Sequence, residues 1–142
     1  MKQERPYYCG PACLAILERE FMSTFHRPRS QELWAEIIGT TAKKGTSCAG
    51  LKRGLRVLGL EHEVVRRADY LPIGFRGIVY DQGRDHWQVF RVGVNPGLAS
   101  LPGEVVYLQD PEDGLTLVYG LEQFLSEFLS GRHAYALRVA RR

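Results

Sequence analysis

The sequence predicts an α+β domain, a helical N-terminal half packed on a C-terminal antiparallel sheet. Residues 9–59 hold three apolar patterns of helical period, and beyond residue 62 the chain changes to short runs rich in Val, Ile, Tyr and Phe, separated by Gly, Asp and Asn. A third observation sets the scale. With 142 residues, 44% of them hydrophobic, the chain can bury a core without staples and matches the usual length of one domain, so residues 1–142 are read as a single unit.

In GPACLAILERE and the phenylalanine after it, Leu14, Ile16, Leu17 and Phe21 supply apolar surface, and Pro11 suits a first helical turn. A buried helix therefore begins at or just after Cys9. A second helix takes Ser30 as cap, runs through Leu33, Trp34, Ile37 and Ile38, and stops at Gly39. A third follows Gly45-Thr46-Ser47, with Leu51, Leu55 and Leu58 on one face and Gly59 as its stop. Strands are expected over residues 63–66, 77–80, 86–92, 105–109 and 115–119, then a helix over 121–129 ending at Gly131, and a closing strand over 133–139. Residues 93–103, GVNPGLASLPG, read as a Gly/Pro loop. A site is expected in the cleft between the two halves.

Charge narrows the function classes. Nineteen basic residues against sixteen acidic ones give a net charge of +3, and the basic residues occur as singles and pairs such as Arg66-Arg67, without the clustered cations that phosphate binding rewards. No nucleic-acid partner is expected. No apolar run approaches the roughly 20 residues of a membrane span, and no secretory signal opens the chain, so a cytoplasmic protein is expected. Three cysteines are read as reduced thiols, and Cys9 and Cys13 have no second paired motif that would argue for zinc. No metal and no cofactor is expected.

Local chemistry is left. Cys9 immediately precedes a helical run, where unpaired N–H groups and the positive end of the helix dipole favour a thiolate by about 0.3–1 kcal/mol. That alone does not make an efficient nucleophile, so an imidazolium partner is required. Cys13, one turn inside the helix, is read as core. Cys48 also lies near a helix start and is the rival nucleophile. Gln3 stands six residues before Cys9 with Pro6 between, and a folded-back approach would bring its carboxamide beside the Cys9 N–H, two donors for an oxyanion.

These residues carry a resemblance. QERPYYCGPACLAIL resembles the opening of the bacteriocin-processing, double-glycine-leader cysteine peptidases of the papain-like clan. GTSCAGLKRGLRVLGLEHEVV is similar to that family's second helical segment, HWQVFRV to its histidine strand and LQDPEDGL to its Asp-Pro-x-x-Gly segment. The resemblance implies a papain-like fold, a Cys9–His86–Asp110 triad with Gln3 at the oxyanion, cleavage after Gly-Gly in leader peptides, and no cofactor. The family's domain is commonly fused to a membrane-spanning exporter, so a peptide substrate and a transporter partner are implied, the chain being stand-alone or part of a larger protein.

Read from the residues themselves, His86 opens an apolar strand after the polar turn 81–85, a rim position able to face a thiol. His26 lies in an Arg/Pro loop, His62 on an alternating strand face and His133 after a surface Gly-Arg, so each competes less well. Asp110 ends a strand and Pro111 keeps it extended, which suits a carboxylate that orients an imidazole. Asp113 and Asp81 are rival carboxylates, and the resemblance favours Asp110. Trp87, Tyr7 and Tyr8 are candidates for the walls of a narrow slot. The alternatives are an amidase or transamidase using the same triad, and a peptide-binding module without turnover.

Overall fold

A computed structural model of the chain describes residues 1–66, 69–131 and 134–142. In order it forms α1 (Cys9–Phe21), α2 (Gln31–Ile38), α3 (Cys48–Val57), β1 (Leu60–Val65), β2 (Arg76–Asp81), β3 (His86–Val94), β4 (Glu104–Gln109), β5 (Thr116–Gly120), α4 (Leu121–Phe128) and β6 (Tyr135–Arg141). The strands make one antiparallel sheet in the order β1-β6-β2-β3-β4-β5. Both expected caps form: Ser30 Oγ accepts the Leu33 N–H at 3.1 Å, and Gly39 closes α2 in the left-handed region at φ 74°.

Two expectations change. The first strand starts three residues earlier than residue 63, at Leu60, because Gly59 turns in the left-handed region at φ 71° and hands the chain directly from α3 to the sheet. The closing strand runs to Arg141, and His133, its expected first residue, lies outside the described residues, as does Arg67.

The sheet is covered on both faces: the N-terminal helices pack on it as expected, and the helix expected over 121–129 takes the face they leave open. Helices α1 to α3 pack on one face with Ile78, Trp87, Val89, Leu137 and Val139; α4 covers the other with Phe124 against Val79, Phe90, Val106 and Leu108. The reason is visible in β3: in HWQVFRVGV only Arg91 and Val94 are exposed, and a strand buried on both sides needs apolar cover on both. Leu14 and Leu17 of α1 are completely buried, each contributing about 1.5–3 kcal/mol of hydrophobic stabilisation. This burial sets the depth at which α1 presents its N-terminus to the sheet. Among the described residues, no helix is long and apolar enough to cross a membrane.

Candidate active site

Cys9 is the first residue of α1, and its N-cap, Tyr8, makes no side-chain cap bond. The first N–H groups of the helix have no intrahelical acceptor, so this end remains an electrophilic surface beside the sulfur. Gly10 permits a close neighbour there: a Cβ at this position would overlap the Thr46 side chain. Thr46 is held from two sides, by Trp87, whose indole N–H donates to the Thr46 carbonyl at 3.0 Å, and by Thr40, whose hydroxyl lies 2.8 Å from the Thr46 hydroxyl. The short hairpin 41–45, closed by a bridge between Thr41 and Gly45, is thereby pinned over the helix start.

His86 is the first residue of β3 and is buried. Its entry is shaped by Asp85, which adopts a left-handed backbone at φ 49°, a conformation aspartate tolerates better than most residues, while its carboxylate accepts from the Tyr80 hydroxyl. Asp110 follows β4 and is equally buried. Its N–H donates to the Leu115 carbonyl at 3.0 Å and its carbonyl accepts from Gly114 at 2.9 Å, so the turn before β5 fixes its backbone. The carboxylate Oδ1 takes the Glu112 N–H at 2.9 Å and lies 2.6 Å from His86 Nε2. Oδ2 takes the Arg84 guanidinium at 3.0 Å, and the other end of that guanidinium meets Glu112.

With Nε2 engaged by Asp110, Nδ1 is the ring atom left for the thiol. Cys9 and His86 line one cavity of about 300 Å³, together with Gln3, Tyr7 and Trp87. No Cys9–His86 hydrogen bond is formed among the described residues; the two side chains share the cavity, and the thiol favours the protonated ring. Burial pulls the His86 pKa down, and the adjacent Cys9 and Asp110 more than reverse it, leaving the imidazole above its ordinary value. For Asp110, burial pushes up, but the bonds from His86, the Glu112 N–H and Arg84 hold the carboxyl below its ordinary range.

Gln3 reaches the same cavity, yet its carboxamide is turned aside. Nε2 donates to the Arg5 and Pro6 carbonyls at 3.1 and 2.9 Å, while Oε1 is buried without a partner. Its backbone N–H donates to the Pro111 carbonyl at 2.6 Å, tying the chain start to the Asp110 turn. Tyr8 is buried in the core, leaving Tyr7 and Trp87 as the aromatic part of the wall.

The competing residues go elsewhere. Cys13 is completely buried, and burial raises its pKa well above the ordinary thiol value. Cys48 opens α3 but lies beside Tyr135 and outside the His86 cavity. His26 lies 2.8 Å from the buried carboxylate of Glu18, which also accepts from Trp34 Nε1 and from Arg29, a brace between α1 and α2. Asp113 caps the Leu115 N–H, and Asp81 lies 4.0 Å from Arg84. Sequence reasoning passed over Arg84, Glu112 and the 41–45 hairpin. Arg84 stands two residues before His86, but nothing in a lone arginine of a polar turn signals that it clamps two carboxylates of a distant turn.

Among the described residues, the His86, Asp110 and Glu112 donor atoms lie within 4.8 Å of one another, and the Arg84 guanidinium already bridges the two carboxylates. No protein-family model, curated protein or solved structure matches the chain.

Proposed function

We propose that the chain is a cysteine peptidase of papain-like architecture, cutting peptide bonds after Gly-Gly in leader peptides that a membrane exporter carries. One observation carries this reading: the first residue of an uncapped helix is a cysteine, and a buried His86–Asp110 pair shares its cavity.

The chemistry follows from the roles of these groups. The Cys9 thiolate adds to the peptide carbonyl carbon, and the carbonyl electron pair moves to oxygen, stabilised by the Cys9 N–H at the helix start. Gln3 joins as a second donor by rotating away from the Arg5 and Pro6 carbonyls, a motion assisted by the unpartnered Oε1. The carbon–nitrogen bond then breaks, the amine leaves with a proton from His86, and a thioester remains. Water, deprotonated by His86, attacks the thioester and releases the acid and the thiolate. Asp110 holds the ring for both transfers. Tyr7 and Trp87 crowd the cavity wall, which suits glycine on the acyl side.

A second reading, a peptide-binding module without turnover, draws on the aversion of the Gln3 carboxamide from the cavity. Two experiments separate these. Iodoacetamide labelling read by mass spectrometry is expected to modify Cys9 far faster than Cys48 or Cys13, and equal rates would favour the binding module. Peptides with and without Gly-Gly are then offered: cleavage after Gly-Gly supports the peptidase, release of ammonia or transfer to an added amine supports an amidase or transamidase, and no turnover by a reactive Cys9 removes the enzyme reading.

A further inference from the structure

The two sides of the cavity differ in charge. One side is formed by the β2–β3 turn and the turn after β4, and there carboxylates outnumber the one arginine: Arg84 bridges Asp110 and Glu112, and Asp85 accepts from the neutral Tyr80 hydroxyl. The other side is the hairpin 41–45, Thr-Ala-Lys-Lys-Gly, with two lysines and no acid. Among the described residues, neither Lys43 nor Lys44 has a carboxylate within 4.0 Å.

This side is held in place. The Thr46 carbonyl takes the Trp87 indole N–H, Thr46 packs into the space that Gly10 leaves open, and Lys44 N–H donates to the Thr41 hydroxyl at 3.1 Å within the turn. Two unpaired ammonium groups are thus carried on a pinned loop that lines the same cavity as Cys9 and His86. A fixed patch of one sign beside a cleft raises the local concentration of ligands of the other sign.

We infer that Lys43 and Lys44 form a carboxylate-recognising subsite, so that the preferred substrate carries an acidic residue or a terminal carboxylate close to the bond Cys9 attacks. This rests on the Cys9 nucleophile reading and adds a substrate class to it. A bound carboxylate replaces part of the ammonium hydration with a charge-assisted hydrogen bond, and the opposite side, where carboxylates outnumber the one arginine and that arginine is already engaged, offers it no competing site.

Two probes of similar size and different charge test this on the full chain: iodoacetate and iodoacetamide. With either, the Cys9 sulfur forms a bond to carbon and iodide leaves with the electron pair, so the ratio of the two rates at Cys9, read by mass spectrometry, isolates the effect of charge. In Lys43→Gln/Lys44→Gln the iodoacetate to iodoacetamide ratio is expected to fall roughly three- to tenfold, near the low end of what charged clefts give, and in Lys43→Glu/Lys44→Glu to fall further. High salt should erase the difference. Both side chains are exposed, so the core is untouched. A ratio unchanged in both variants, with Cys9 still reactive, overturns the carboxylate subsite alone. A Cys9 no faster than Cys48 toward either reagent in the unmodified chain overturns the nucleophile reading as well.

Discussion

Cys9 and Cys48 begin their helices in the same way and end in different chemistry. Each is the first residue of a helix, each has a glycine packed tightly within the first turn, Gly10 against Thr46 and Gly50 against the Ile38 carbonyl, and each helix start faces the first residue of a strand. Opposite α1 that residue is His86 of β3; opposite α3 it is Tyr135 of β6. An imidazole exchanges protons near neutrality, whereas a phenol does not, and burial followed by the Cys48 contact pushes the Tyr135 hydroxyl further up. Ser47 also satisfies the α3 start, taking the Gly50 N–H at 3.0 Å, while Tyr8 leaves the α1 start open. A helix terminus therefore supplies a setting, and what separates the two thiols is the residue across from each.

Removing that opposing residue should break the contrast most. In His86→Ala, Cys9 is expected to alkylate on the order of 10²-fold more slowly at pH 6, because the imidazole that shares its cavity is gone. Peptide turnover should fall roughly 10²- to 10⁴-fold, while Cys48 labelling stays as it was. A Cys9 rate that survives this substitution would make the two thiols equivalent.

Next in size is Gly10→Ala, where the added methyl meets Thr46. Overpacking should cost about 1–3 kcal/mol of stability, measured by denaturant unfolding, and should slow Cys9 labelling as the 41–45 hairpin is displaced. Asp110→Asn tests the electrostatics more finely. Because Asp110 helps hold the His86 pKa up, its loss should move the alkaline fall in peptide turnover to lower pH.

The same pair predicts a stability window. His86, raised in the folded state, stabilises below its unfolded pKa and loses this as pH rises through the raised value; Asp110, lowered, stabilises above its unfolded pKa and loses this as pH falls through the lowered one. Melting temperature should decline at both ends, and Asp110→Asn should flatten the acid decline. The smallest effect belongs to the other helix. Ser47→Ala should cost about 1 kcal/mol of stability and leave Cys9 reactivity intact, since of the two cysteine-led helices α3 has a side-chain cap and α1 has none.

Much of this was readable in one dimension. Ser30, Gly39, Ser47 and Gly59 marked helix ends through backbone preferences that act within a few residues, and the switch from helical to alternating periodicity marked where the sheet begins. Helix α4 was legible as an element and illegible as a layer, because which face of a sheet a helix covers is set by burial across the whole strand array. The candidates Cys9, His86 and Asp110 were picked from among rivals such as Cys48, Asp81 and Asp113 through the family resemblance. Their meeting was not legible, nor was the turning away of the Gln3 carboxamide toward Arg5 and Pro6.

The sequence by itself determined the local grammar of this protein: a thiol at a helix start, a histidine opening a strand, an aspartate held extended before proline. Tertiary structure decided which strand end lies across from which helix start, and with it that Cys9 meets an imidazole while Cys48 meets a phenol. It also brought two lysines to one side of the cavity and a clamped arginine to the other. The physical reason is range: capping, φ preference and periodicity act over a turn of chain, whereas the approach of α1 to β3 is fixed by the packing of a core drawn from three helices and four strands.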